Sequence, residues 1–203
     1  MKIKVCGMGT LENILEVAVL EPDYLGFIFY EKSARNFTGV IPSISESIKK
    51  TGVFVNASFE FIHDKIIQYK LQAVQLHGEE TVVLCEQLKD LDVEVFKVFS
   101  IKGDFDFSLL TAYEAAVDYF LFDTKGEHPG GNGFVFDWNV LKGYSSKTPF
   151  ILSGGIGPDE VQSVKDIIKS DLPVYALDLN SKFETAPACK DADLLKEFLN
   201  NIK

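Results

Sequence analysis

Ser153-Gly154-Gly155-Ile156-Gly157-Pro158 follows the apolar run Phe150-Ile151-Leu152 and leads into a helical pattern, a combination suited to holding a phosphate. Adjacent glycines let backbone N–H groups approach an anion closely. A helix starting at Pro158, with Asp159 and Glu160 in its first turn, adds the favourable end of a helix dipole. The same residues also suit an ordinary strand-to-helix turn, so the chemistry around them has to decide. Cys6 ends an apolar strand pattern, where it is either a small hydrophobe or a catalytic residue. Asp123 ends Tyr119-Phe120-Leu121-Phe122 and is either a cap or a general acid, a role that partial burial of a carboxyl favours. Asp178 holds the matching place after residues 174–177 and has the same two readings.

Arg35 is the single arginine of the chain. Only arginine offers a planar fork that grips a carboxylate with two bonds, although a surface position is the plainer reading. A net charge of -10 argues against nucleic acid or an anionic membrane surface as partner, so an anionic small molecule must be captured by local groups. The histidines are His63, His77 and His128, without HExxH or regular pairing, and no metal is expected. Cys6, Cys85 and Cys189 are odd in number and widely spaced, which signals neither a disulfide framework nor a CxxC site and fits a reducing cytoplasm. Met1-Lys2-Ile3-Lys4-Val5 leads directly into structured sequence, and no apolar run approaches the length of a membrane span. A soluble, unexported protein is expected.

The elements that position these groups alternate. Strands are expected at residues 3–6, 24–30, 53–55, 73–76, 95–99, 119–122, 150–152 and 174–177. Helices are expected at 11–20, 41–50, 59–69 with Ser58 as N-cap, 79–88, 107–116, 136–142, 160–168 and 191–202. Such units average about 25 residues, which suits a compact (β/α)8 TIM barrel forming one domain over residues 1–203. An open doubly wound sheet competes, but Gly7-Met8-Gly9 lacks the third glycine of its fingerprint. In a barrel, active groups lie where strands end. The polar residues there are Cys6, Asn56, His77, Ser100, Asp123, Ser153 and Asp178, with Arg35 on the loop after the second strand.

Five stretches in order carry a family resemblance: Lys4-Val5-Cys6-Gly7, Gln75-Leu76-His77-Gly78-Glu79, Leu121-Phe122-Asp123-Thr124-Lys125, Gly130-Gly131-Asn132-Gly133 with Phe136-Asp137-Trp138, and Leu152-Ser153-Gly154-Gly155-Ile156. Together they resemble the phosphoribosylanthranilate isomerases of tryptophan biosynthesis. The resemblance implies a (β/α)8 barrel that works without a cofactor. Its reaction is the Amadori rearrangement of N-(5-phosphoribosyl)anthranilate to 1-(2-carboxyphenylamino)-1-deoxyribulose 5-phosphate. It also implies Asp123 as general acid and Cys6 as general base, with Arg35 on the anthranilate carboxylate. The phosphate would lie between Ser153-Gly154-Gly155 and Asn180-Ser181, with His77 and Asp178 placed to touch the substrate. The chain departs from the family after the last strand, where Lys182 replaces a glycine, and in the first loop at Met8-Gly9-Thr10. A monomer or a homodimer fits equally. Two other readings remain at this level. One is another enzyme on a phosphate-binding barrel, such as a pentose-phosphate epimerase or a neighbouring step of tryptophan or histidine biosynthesis; an epimerase would need metal-binding histidines or paired aspartates at several strand ends, and the histidine supply argues against it. The other is a ligand binder that kept the pocket but lost the chemistry, against which Cys6 and Asp123 together speak.

Overall fold

A computed structural model describes residues 1–124 and 137–202. The strands are β1 (Lys2–Cys6), β2 (Tyr24–Ile28), β3 (Lys49–Phe54), β4 (Ala73–Leu76), β5 (Glu94–Ile101), β6 (Tyr119–Thr124), β7 (Phe150–Leu152) and β8 (Val174–Leu179). They pair in chain order, all parallel, and β8 closes on β1 with Lys4 opposite Asp178. The (β/α)8 expectation is met.

A parallel sheet needs both faces covered. The outer face packs under α1 (Leu11–Ala18), α2 (Phe59–Tyr69), α3 (Val82–Lys89), α4 (Val161–Ile168) and α5 (Ala192–Ile202). Thr10, Ser58 and Thr81 start the first three, each side chain accepting a backbone N–H from three residues on, so the caps settle where strand-following loops become helix. The inner face carries a second cluster of Tyr24, Ala73, Phe96, Val98, Leu121, Ile151 and Ala176, as the two-residue strand period requires. Tyr119 and Tyr175 stack at 3.9 Å beneath it, and the Tyr24 hydroxyl meets Glu94 and Tyr175. This aromatic floor closes the N-terminal end of the barrel and leaves the other end for chemistry. No helix among the described residues is long and apolar enough to cross a membrane.

Three helix expectations change. Residues 41–50 form no helix, and Lys49 and Lys50 already belong to β3. Ser45 Oγ accepts from Ser47 N and meets Ser47 Oγ, a local bonding pattern that competes with helix, and the helix-spaced Ile48 is buried in the core from an irregular segment. The expected helices at 107–116 and 136–142 are 3₁₀ turns at Phe107–Tyr113 and Trp138–Gly143. Asp106 and Asp137 accept from the N–H two residues on, a local bond that starts each turn with fewer residues per turn than an α-helix has. Phe136, Lys125, His128 and the 126–133 stretch lie outside the described residues.

Beyond β8 comes an unanticipated hairpin. After a 3₁₀ turn at Ser181–Phe183, β9 (Glu184–Ala186) pairs antiparallel with β10 (Cys189–Lys190). Buried Asn13 of α1 ties it down, Nδ2 donating to Lys190 O at 2.8 Å and Oδ1 accepting from Lys190 N at 2.7 Å. Asn13→Ala leaves both backbone groups without partners, and unfolding in urea is expected to show a loss of about 1–3 kcal/mol.

Candidate active site

At the C-terminal end of the barrel lies a cavity of about 460 Å³. Cys6, Arg35, His77, Asp123, Ser153, Gly154, Gly155, Asp178, Asn180 and Ser181 all line it, so every site residue expected from the sequence converges on one space. Of the polar strand-end residues, Asn56 and Ser100 are not among its walls. Asn56 instead shapes a turn, accepting from Glu79 N while its own N–H donates to Glu80.

Cys6 stands at the end of β1 against Gly26 of β2, where a Cβ would come within 2.7 Å of the sulfur. Two residues earlier on the same strand face is Lys4, fully buried, its ammonium 2.7 Å from Asp178 Oδ1. Ser153 Oγ donates to the other oxygen of Asp178 at 3.3 Å. Burial pushes the Cys6 thiol up; the Lys4 charge opposes this, Asp178 adds to it, and the net direction is upward. Burial pulls Lys4 down, but Asp178 and Cys6 outweigh it and hold the ammonium above its ordinary range. The floor beneath Cys6 is thus a permanent cation paired with a carboxylate.

Asp123 reaches the cavity from β6, across the barrel mouth. Its Oδ1 accepts from Thr124 N at 2.9 Å, and Oδ2 lies 3.3 Å from His77 Nε2. Gln75, two residues before His77 on the same strand face, sets its side-chain nitrogen 3.1 Å from His77 Nδ1. With that amide as donor, the imidazole proton sits on Nε2 and faces Asp123. The contact is not aligned as a hydrogen bond, and His77 Nε2 has no hydrogen-bond partner among the described residues.

Gly154 and Gly155 both have positive φ, +86° and +71°, a turn that glycine adopts without strain and that gathers successive N–H groups into an anion cradle. The helix behind it differs from expectation. Gly157 N–H already donates to Glu160 Oε2 at 2.8 Å, so that end is capped by its own carboxylate. The cavity wall on this side is the glycine turn, with Asn180 and Ser181 also lining the space. Lys182 is exposed and rests its stem against Gly157 rather than lining the cavity. A Cβ on Gly154 would lie 2.4 Å from Thr124 Oγ1, 2.5 Å from Thr124 N and 2.7 Å from Asp123 Oδ1. Gly154→Ala is therefore expected to destabilise by about 1–3 kcal/mol in urea unfolding. By displacing Asp123 it should lower turnover by up to about a hundredfold in steady-state kinetics.

Arg35 lines the cavity, but its fork is partly engaged. Nε donates to Glu184 Oε1 and Oε2 at 2.9 and 3.0 Å, and Nη2 to Oε2 at 2.7 Å. Lys190 also donates to Glu184 and, at 2.7 Å, to Asn180 Oδ1. Burial alone would raise the Glu184 carboxyl, yet Arg35 and Lys190 hold it below the usual range. Burial pulls Lys190 down despite Glu184. Sequence reasoning missed Lys4, Gln75, Glu184 and Lys190. The first two had a signal, since each lies two residues before a chosen residue on the same strand.

The chain resembles known proteins throughout its length. Residues 3–201 match the family model described as N-(5'phosphoribosyl)anthranilate (PRA) isomerase. An N-(5'-phosphoribosyl)anthranilate isomerase of Parabacteroides distasonis is 45% identical, covering 100% of this chain and 93% of that protein. The crystal structure of phosphoribosyl anthranilate isomerase from Thermotoga maritima superposes with a TM-score of 0.84 at 32% identity, covering 100% of this chain and 98% of that one. A further isomerase structure, in complex with reduced 1-(o-carboxyphenylamino)-1-deoxyribulose 5-phosphate, gives a TM-score of 0.82 at 30% identity, with 100% and 98% covered. With barrel, cavity and whole-length likeness in agreement, this chain belongs to the N-(5'-phosphoribosyl)anthranilate isomerase family.

Proposed function

We propose that this chain isomerises N-(5'-phosphoribosyl)anthranilate to 1-(2-carboxyphenylamino)-1-deoxyribulose 5-phosphate with Asp123 as general acid and Cys6 as general base. The observation that carries this reading is that a carboxyl from β6 and a thiol from β1 share one cavity with a paired-glycine cradle. Asp123 gives a proton to the furanose ring oxygen, the C1′–O bond breaks, and the nitrogen lone pair forms an iminium. The iminium acidifies the C2′ proton, which Cys6 removes to leave an enolamine. Protonation at C1′ and loss of the 2′-hydroxyl proton then give the ketone, so the step is a net isomerisation and consumes no co-reactant.

The remaining residues divide the substrate between them. Gly154, Gly155, Asn180 and Ser181 take the phosphate, Arg35 takes the anthranilate carboxylate, and His77 and Asp178 border the sugar. The ligand held by the solved relative carries both anions, which supports this division. The 203-residue chain works as one unit, in a reducing cytoplasm where Cys6, Cys85 and Cys189 stay free thiols.

Loss of phosphoribosylanthranilate fluorescence on mixing with purified protein tests the reading. Turnover that persists in the presence of a chelator is expected. Binding without consumption would leave a ligand binder in place of an isomerase.

A further inference from the structure

Arg35 has five N–H donors, and Glu184 engages the edge made by Nε and Nη2. Among the described residues no hydrogen bond from Nη1 is present, and the side chain borders the cavity at 16% exposure. The fork is therefore held from behind, with its end-on edge left for a ligand. Glu184 itself has little left to offer. Its Oε1 accepts from Arg35, Lys190 and Ala188 N, and its side chain is 5% exposed, which suits an orienting group better than a proton carrier.

A lone Arg35–Glu184 pair would be neutral and would attract an anion weakly. Lys190, fully buried, shares the same carboxylate, so the triad carries a net charge of one positive unit. Gly7, at φ +77°, allows the triad to lie against the end of β1, since a Cβ there would meet Arg35 Cδ at 2.9 Å and Asn180 Oδ1 at 2.8 Å. The cluster ties the loop between β2 and β3 to the β9–β10 hairpin, two segments far apart in the chain.

We propose that Glu184 and Lys190 are positioning residues for substrate selection: Glu184 aims Arg35 at the aryl carboxylate, and Lys190 keeps that carboxylate needed by leaving the cluster one positive charge in excess. The inference rests on the reading of Arg35 as the carboxylate ligand. It adds that discrimination between an ortho-carboxylated arylamine and a plain arylamine is set by two residues that never touch the substrate. The carboxylate keeps its charge throughout the reaction, so its contact is the same in ground and transition states. Weakening it should raise KM and spare kcat.

The test compares phosphoribosylanthranilate with N-(5-phosphoribosyl)aniline, which lacks the carboxylate, in wild type, Glu184→Gln, Lys190→Met, Arg35→Met and the Arg35→Met/Glu184→Gln double variant. Ribose 5-phosphate serves as a competitive inhibitor that reads the phosphate subsite alone. Glu184→Gln and Lys190→Met are each expected to raise KM for the anthranilate about tenfold, with kcat within about threefold. In Glu184→Gln, KM for the aniline and the inhibition constant of ribose 5-phosphate should stay put, while Lys190→Met, which also removes the partner of Asn180 Oδ1, should raise KM for the anthranilate more than KM for the aniline. In the Arg35→Met background, Glu184→Gln should add nothing. Equal losses with both substrates, or losses that add in the double variant, would make the triad merely structural and overturn the proposal. If Arg35→Met itself fails to separate the two substrates, the reading of Arg35 falls and takes the proposal with it. Should Arg35→Met separate them while both triad variants match wild type, only the proposal falls.

Discussion

Asp123→Asn is expected to lower kcat for phosphoribosylanthranilate by about 10²–10⁴-fold while the barrel stays folded. Asparagine has the same shape, and its carbonyl oxygen can still accept the Thr124 N–H that Oδ1 accepts at 2.9 Å. What disappears is the acidic proton needed to open the furanose ring. Because no charge is left unpaired, circular dichroism and urea unfolding should match wild type closely. The substrate is already neutral at the ring oxygen in the ground state, so KM should move far less than kcat. A variant within about tenfold of wild-type kcat would remove Asp123 from the acid role. His77 would then be the next group to examine, since its Nε2 stands 3.3 Å from the same carboxyl.

The charge of the whole molecule and the charge of its site point in opposite directions. A chain of net charge -10 repels a substrate that bears both a phosphate and a carboxylate. The cavity offsets this with cations removed from solvent. Lys4 and Lys190 are fully buried, and Arg35 is partly buried at the cavity edge. Each is also matched to an internal carboxylate, Asp178 or Glu184, without which burying it would cost far more than it returns. In the proposed reading, neutral N–H groups at Gly154 and Gly155 serve the phosphate and substrate capture is local.

What could be read in the sequence follows from the period of each element. Strand ends at Cys6, Asp123 and Ser153 were legible because an apolar run stops there and a polar residue follows. In a barrel that places the side chain at the mouth. Lys4 was passed over although it shares a strand face with Cys6. An isolated lysine near the chain start reads as solvated, and only closure of β8 on β1 shows it facing Asp178 inside the barrel. Glu184 and Lys190 needed the β9–β10 hairpin, whose strands are too short to leave a periodic signal. The false helix at 41–50 arose from isoleucines at helical spacing. Serine side chains bonding locally override such spacing when no cap starts the helix.

Cys6→Ser is expected to lower kcat by about 10²–10⁴-fold, because a serine hydroxyl in that pocket supplies no anionic base near neutral pH. The wild-type pH profile gives the cause. Burial raises the Cys6 thiol, and the charges facing it divide: Lys4 and Lys190 favour the thiolate, while Asp178 disfavours it. Only the thiolate can take the C2′ proton. A raised thiol pKa places the base form at higher pH, while ring opening needs an acid that still holds its proton, so kcat/KM should be bell-shaped with its rising limb carried by thiolate formation. Serine should erase that rise along with the rate, whereas loss of Asp123 should leave the rise in place on a lower residual rate. A Cys6→Ser enzyme that keeps both the climb and most of the activity would assign the proton abstraction to another group, and Asp178, joined to Lys4 at 2.7 Å on the neighbouring strand, is the one in reach.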